Sequence, residues 1–304
     1  MPDIHPPTLD PQAARRWQGM PVDASPWLHE EVARRMQERL DLIKMQPTSW
    51  LHWSPLTGGM EAHGLLVQRY PKTPCTVLET TPVRAASAAG VLALPWWKPQ
   101  RWLRAQPEVV TAVRQPSQML WANMCLHMAS DPQALLAQWH RALQVDGFLM
   151  FSCLGPDTLR ELRTLYQSLG WPAPSHEFTD MHDWGDMLVG AGFAEPVMDT
   201  ERITLTFETP QRLLQELRGL GRNLHVARFS GLRGRCWHQQ LLNAVGKRPL
   251  QLTFEVVYGH AFKPVPRVAV GAQSEISLND MRAALARSKS SVRQVPPPTG
   301  GKHE

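Results

Sequence analysis

Cysteine is scarce in this 304-residue sequence, and long apolar runs are missing. The four cysteines, Cys75, Cys125, Cys153 and Cys236, are widely spaced and form no Cys-x-x-Cys pair. They indicate buried thiols in a reducing compartment rather than a disulfide framework. No stretch reaches the ~18 apolar residues that a membrane helix needs, and the proline-rich beginning shows no signal peptide. We therefore expect a cytoplasmic protein without a membrane partner.

Metal-ligand and nucleic-acid signatures are also missing. Residues 176–186, HEFTDMHDWGD, contain two histidines and four acidic residues, but their spacing matches no standard ligand pattern. This stretch instead predicts the capped start of a helix. Twelve tryptophans accompany the basic residues, yet no RNA-binding motif surrounds them. We predict neither a metal site nor a nucleic-acid partner.

Strand and helix patterns alternate along most of the chain. Apolar residues spaced by three and four predict a helix over 25–46, which Ser25 and Pro26 begin. Apolar or alternating runs predict strands near residues 50, 75, 119, 148, 202 and 251. The early runs are continuously apolar, as in parallel strands covered on both faces, whereas the last two alternate. The order predicts an α/β fold: a mostly parallel sheet with an antiparallel edge strand and helices on both faces.

Less regular segments flank a domain predicted over 25–270. Residues 1–24 are proline-rich and show no periodicity, and 84–116 predict no element. Residues 271–304 predict a short helix at 278–285 followed by a disordered tail.

The charge between residues 212 and 248 is almost entirely positive. This segment contains one acidic residue, Glu216. Its basic residues are Arg212, Arg218, Arg222, Arg228, Arg233, Arg235, Lys247 and Arg248. Such a segment is either a solvated face or a surface that attracts an acidic partner.

Four stretches resemble one known family: SPWLHEEVARRMQERLDLIKMQP, MLWANMCLHMASDPQALLAQWHRALQVDGFLMFSCLGPDTLRELR, EFTDMHDWGDMLVGAGFAEPVMDTERITLTF and LTFEVVYGHAFKP. They resemble the biotin-pathway malonyl-ACP O-methyltransferases, which are class I, S-adenosylmethionine (SAM)-dependent methyltransferases. The resemblance implies a class I methyltransferase-like (Rossmann-like) fold, SAM as cofactor and an acidic acyl carrier protein (ACP) as partner. It also divides the domain into a cofactor half, 49–153, and a substrate half, 154–270.

The resemblance is weakest at the glycine turn that binds the cofactor. The family pattern ILDLGCGTG corresponds to WLHWSPLTG at 50–58, so His52 replaces the strand-end acid, and Ser54 and Leu56 replace two glycines. A side chain at those glycines intrudes on the space that brings backbone close to a cofactor. Gly58 and Gly59 remain as cofactor-binding candidates in this degenerate motif.

Six further residues are site candidates through the resemblance. Glu79 follows Gly58 by 21 residues, close to the usual offset of a ribose-binding acid; the alternative is an exposed strand-end glutamate. Asn123 corresponds to the residue that faces the reactive end of the cofactor. The substrate-binding candidates are His127, Arg222, His225 and Arg228. No catalytic side chain is assigned, because an ionised carboxylate is itself the nucleophile and alignment carries the rate.

Two functions remain open from the sequence. The chain is either a divergent methyltransferase that acts on malonyl-ACP, or a catalytically silent relative that keeps a partner-binding surface while SAM binding has lapsed.

Overall fold

A computed structural model describes residues 8–22, 24–93 and 106–266 of the chain. They build one seven-stranded sheet in the order β3-β2-β1-β4-β5-β7-β6. The strands are β1 Trp50–Trp53, β2 Cys75–Leu78, β3 Glu108–Val110, β4 Ser117–Ala122, β5 Leu143–Leu154, β6 Ala194–Thr206 and β7 Gln251–Phe262. Strands β1 to β5 pair in parallel, whereas β7 runs antiparallel to both β5 and β6. The predicted fold class is confirmed, with β7 as the antiparallel strand and β6 at the edge.

Helices cover both faces of this sheet. They are α1 Pro11–Gln18, α2 Trp27–Arg39, α3 Pro55–Gly58, α4 Met60–Arg69, α5 Pro82–Leu92, α6 Pro132–Ala142, α7 Arg160–Ser168, α8 Met181–Gly190, α9 Pro210–Leu220 and α10 Arg235–Gly246. Single 3-10 turns follow α2 at Leu40–Leu42 and β4 at Leu126–Met128. The helix predicted over 25–46 is thus a shorter α-helix with a 3-10 turn at its end.

Strand β1 shows why the sheet is covered on both sides. All four of its residues are buried. Trp50 belongs to the core cluster that α2 and α4 cover, whereas Leu51 and Trp53 belong to the cluster on the opposite face. Successive side chains of a strand point to opposite faces, so a strand without polar alternation indicates two apolar layers.

Two segments without predicted elements contain regular structure. In 1–24, the helix α1 is capped by Asp10, whose carboxylate accepts hydrogen bonds from the backbone N–H of Gln12 and Ala13. In 84–116, α5 continues to Leu92 and β3 forms further along. The helix and tail predicted beyond 271 lie outside the described residues.

Among the described residues, no helix combines the length and apolarity needed to cross a membrane.

Candidate functional site

The turn after β1 lies where the strand order of the sheet reverses. Strands β2 and β4 flank β1 on opposite sides, and open α/β sheets bind ligands at this point, outside the carboxyl ends of the strands. Ser54 adopts a left-handed conformation with φ 49°, the short helix α3 follows, and Gly59 has φ 132°. The segment 50–59 therefore lies at the place in the sheet where α/β folds of this kind bind ligands.

Asn123 holds this turn in place through side-chain hydrogen bonds. Its Nδ2 donates to the carbonyl oxygens of His29, at 2.8 Å, and of Gly58. Its Oδ1 accepts from Ser152 Oγ at 2.5 Å. A Cβ on Gly58 would lie 2.7 Å from the Asn123 carbonyl oxygen, so the turn needs glycine there for contact with the end of β4. Asn123 is fully buried and ties the turn to α2 and β5.

The amino end of α4 is capped by a glutamate that the sequence does not reveal as a site residue. Glu30 of α2 accepts hydrogen bonds from the backbone N–H of Met60 at 2.8 Å and of Ala62 at 3.2 Å. Its carboxylate also lies 2.9 Å from where a Cβ on Gly59 would stand. A helix amino end attracts anions, and here the protein's own carboxylate occupies it. Gly59 therefore makes room for Glu30.

Glu79 follows β2 and reaches back to the same turn. Its Oε1 accepts from the backbone N–H of Leu56 at 3.0 Å, while its buried Oε2 has no hydrogen-bond partner among the described residues. Burial raises the pKa of Glu79 to about 7, although the Leu56 N–H and the charge of Arg84 act in the opposite direction. The alternative interpretation of Glu79 as an exposed strand-end glutamate is wrong, because its side chain is fully buried.

His52 of β1 packs against a second histidine. Its Nδ1 lies 3.1 Å from Nδ1 of His63 on α4, and the rings stack with centroids 5.3 Å apart. Burial lowers the pKa of His63 to about 4 and holds the pKa of His52 well below its usual value. Two neutral rings thus join β1 to α4 on the core side of the turn.

A cavity of about 290 Å³ opens beside the turn. Its wall includes the hydroxyl-bearing residues Ser54, Thr57 and Thr80, together with Arg84 and Asp131. The four predicted cofactor-binding residues, Gly58, Gly59, Glu79 and Asn123, do not line this cavity, whereas their neighbours Thr57, Thr80 and Met124 do. We call this space the first cavity.

Residues 8–20, here called the N-terminal strap, close one side of the first cavity. Trp17 contributes to the cavity wall. The buried Arg84 guanidinium donates to the carbonyl oxygens of Trp17 at 3.1 Å and of Met20 at 3.2 Å. At the other end Asp10 forms an ion pair with Arg228 at 2.7 Å. The strap therefore attaches to both halves of the domain.

A second cavity of about 410 Å³ lies between the sheet and helices α7, α9 and α10. It shares Met128 and Leu220 with the first cavity. Because the same two side chains line both spaces, the cavities adjoin each other.

The four predicted substrate residues divide between two places. His127 and Arg222 line the second cavity. His225 bridges to Leu9 of the strap, and Arg228 pairs with Asp10, so these two residues hold the strap. His127 Nδ1 accepts from the Leu154 N–H at 3.3 Å, and burial keeps the pKa of His127 well below its usual value.

Known proteins resemble this chain over most of its length, although no family model matches it. The malonyl-[acyl-carrier protein] O-methyltransferase of Gallionella capsiferriformans is 39% identical over 81% of this chain and 87% of its own. The enzyme of the same name from Laribacter hongkongensis is 39% identical over 81% and 86%. The one from Nitrosospira multiformis is 34% identical over 82% and 86%.

Solved structures share the fold at low sequence identity. A candidate methyltransferase from Bacillus halodurans aligns with a TM-score of 0.51 and 12% identity over 76% of this chain and all of its own. The Bacillus subtilis YcgJ protein aligns with a TM-score of 0.50 and 11% identity over 77% of this chain and all of its own. Fold and sequence agree: this chain belongs to the malonyl-[acyl-carrier protein] O-methyltransferase family and has the class I methyltransferase fold.

Proposed function

We propose that this protein transfers a methyl group from SAM to the carboxylate of a malonyl group carried on an ACP. The observation that carries the proposal is the pair of adjoining cavities at the switch point of a class I methyltransferase sheet. One cavity suits the methyl donor and the other the acceptor. We place the reaction in biotin biosynthesis and in the cytoplasm, where the free cysteines stay reduced.

The residues around the first cavity fit SAM in part. Glu79 does not line the first cavity, and its part in the SAM site is to hold the turn through the hydrogen bond from the Leu56 N–H. The volume of about 290 Å³ is close to the lower bound of ordinary ligand sites, roughly 300 Å³. The capped end of α4 gives no anion site, so polar groups of the cavity wall must hold the amino-acid part. When bound, SAM supplies an electrophilic methyl group.

The chain's own contribution is orientation and exclusion of water. The malonyl carboxylate is ionised at neutral pH, with an ordinary pKa of about 4, and therefore needs no general base. His127 is neutral there because of its lowered pKa, so Arg218 and Arg222 supply the positive charge on the acceptor side. The strap covers the donor side, and a closed site strengthens these electrostatic contacts.

Calorimetric titration with SAM tests the donor site. We expect the wild type to bind SAM at micromolar concentration. Glu79→Ala should weaken SAM binding at least about tenfold, because the variant loses the contact with the Leu56 N–H that holds the turn. Glu61→Gln, on the exposed start of α4, is the matched control and should bind like the wild type.

A pH series provides the second readout of this prediction. With the pKa of Glu79 near 7, SAM affinity should fall below that pH as the carboxylate takes up a proton and loses an acceptor site. Glu79→Gln should flatten the dependence. A wild type that binds no SAM at millimolar concentration would favour the silent relative instead.

Charge reversal in the basic segment tests carrier binding. The side chains of Arg218 and Arg235 are exposed, and their guanidinium groups form no hydrogen bond or ion pair within the described part of the chain. We expect Arg218→Glu with Arg235→Glu to weaken ACP association about tenfold and to flatten its salt dependence. Lys72→Glu with Arg114→Glu makes the same change in charge elsewhere and should have little effect. Equal weakening in both double variants would reduce the segment to a solvated face.

A further inference from the structure

His29 of α2 contributes to the wall of the first cavity. The residue is 4% exposed, and its carbonyl oxygen accepts a hydrogen bond from Asn123 Nδ2 at 2.8 Å. Its ring nitrogen Nδ1 lies 2.6 Å from the carbonyl oxygen of Thr57 in the turn after β1. Both the backbone and the ring of His29 are therefore held in place beside this cavity.

The hydrogen bond to Thr57 defines the tautomer of the His29 ring. A carbonyl oxygen can only accept, so Nδ1 carries the proton and donates it to Thr57. Burial lowers the pKa of His29 to about 4, so the ring is neutral at pH 7 and Nε2 carries a lone pair. At neutral pH His29 is thus a hydrogen-bond acceptor at Nε2.

The lone pair on Nε2 is unused and accessible. Within the described part of the chain, the ring of His29 has a hydrogen bond through Nδ1 alone. Its Nε2 is not one of the enclosed polar atoms that lack a partner there, in contrast to His52 Nε2. Nε2 therefore keeps accessible surface, and the space that His29 lines is the first cavity. An unused acceptor at a cavity indicates a ligand that donates to it.

The surroundings of His29 favour a cationic donor. Trp17 and Trp53 line the same cavity, and tryptophan rings attract cations. Hydrogen bonds with one ionised partner are also roughly twice as strong as neutral ones. An α-amino group has an ordinary pKa of about 8, so it keeps its proton beside a ring whose pKa is about 4. A primary ammonium group is therefore the donor that suits Nε2.

We infer that His29 binds the ammonium group of the methyl donor, with Nε2 as the acceptor. The inference rests on the proposed function, in which the first cavity holds SAM. His52, at the strand-end position, offers no such acceptor, because it pairs with His63 and does not line the cavity. The side chain that holds the amine therefore belongs to α2 and not to β1.

Two ligands and two variants test this contact. S-adenosylhomocysteine (SAH) contains the ammonium group, and its deaminated analogue has hydrogen in that place; calorimetry measures both dissociation constants. His29→Asn keeps a donor for the Thr57 carbonyl but has no atom at the place of Nε2, so it should lower the preference for SAH about tenfold. His29→Gln keeps an acceptor oxygen near that place and should retain most of the preference. His182→Gln, at an exposed position outside the first cavity, is the control and should keep the wild-type ratio.

Nuclear magnetic resonance of isotope-labelled wild type locates the contact. The Nε2 signal of His29, assigned by its loss in either variant, should move on titration with SAH and stay with the deaminated analogue. An unchanged preference in His29→Asn, an equal shift with both ligands, or no binding of either ligand at millimolar concentration would overturn the inference.

The same measurements separate this inference from the proposed function. If His29 discriminates the amine but the protein transfers no methyl group to a malonyl thioester, the proposed function alone is refuted. If methyl transfer occurs and His29→Asn keeps the wild-type preference for SAH, the His29 contact alone is refuted.

Discussion

Gly58→Ala should lower the free energy of unfolding by about 1–3 kcal/mol and slow methyl transfer by about 100-fold. The added Cβ would stand 2.7 Å from the Asn123 carbonyl oxygen. The backbone of the turn would therefore have to move away from the backbone at Asn123. The turn carries the Leu56 N–H that Glu79 binds, and a displacement there moves the donor site. Urea unfolding and steady-state kinetics measure the two effects.

Gly64→Ala is the control for this substitution. Gly64 is an exposed residue of α4, and a Cβ there meets no atom within 4 Å. The change should raise the free energy of unfolding by roughly 0.5–1 kcal/mol, because alanine suits a helix better than glycine. If the two variants were equally stable and active, Gly58 would not need to approach β4 closely.

The protein should unfold readily in mild acid. Four buried histidines have lowered pKa values because burial disfavours their charged form: His29 and His63 to about 4, His52 and His127 well below the usual value. Unfolded histidine takes up a proton near pH 6.5. Between pH 6.5 and 4 the unfolded state therefore binds more protons, and the free energy of unfolding falls as the pH falls.

The size of this effect follows from the width of the window. From pH 7 to 4.5 each such histidine should cost about 2 kcal/mol. Glu79 acts in the opposite direction, since its raised pKa lets the folded state hold a proton between pH 4.5 and about 7. One carboxyl against four histidines leaves a net loss of roughly 5 kcal/mol, which is comparable with the lower end of the usual stability of a domain.

Replacing the histidine pair isolates its share. His52→Leu with His63→Leu removes both rings together, so neither is left without its partner, and stability at pH 7 should change little. The loss of unfolding free energy between pH 7 and 4.5 should shrink by about 4 kcal/mol. His238→Gln, at an exposed position without a side-chain hydrogen bond or ion pair in the described part of the chain, should leave the pH profile as it is. A double variant with the wild-type acid profile would contradict the assignment.

The strands of the sheet were predictable where both of their faces are buried. The apolar run at 148–153 lies in β5, but the strand begins earlier, at Leu143. The apolar pattern did not show this start because residues 144–146 are exposed. Strand β6 begins at Ala194, well before the predicted alternation at 202–207. The early part was not predicted because both faces of this edge strand are partly exposed and its sequence lacks a clear apolar pattern. Helix α1 has eight residues, too few for a period, although Asp10 and Pro11 carry the signal of a capped start.

The turn itself was predictable, but the contacts that hold it were not. The spacing of 21 residues predicted that Glu79 lies near the turn that contains Gly58. In the structure the Leu56 N–H of this turn donates a hydrogen bond to Glu79. The capping by Glu30 and the pairing of His52 with His63 join elements that are distant in sequence, so no local pattern reveals them. Asn123 was expected to face the cofactor, yet its hydrogen-bonding groups are engaged with His29, Gly58 and Ser152.

The N-terminal strap forms a wall of the first cavity without adding a strand to the sheet. Its attachments include the carbonyl contacts of Arg84 at one end and, at the other, the bridge between Leu9 and His225 and the ion pair of Asp10 with Arg228. A shortened chain that starts at α2 would retain the residues of all seven strands but would lose one wall of the first cavity and leave the buried Arg84 guanidinium without these carbonyl partners.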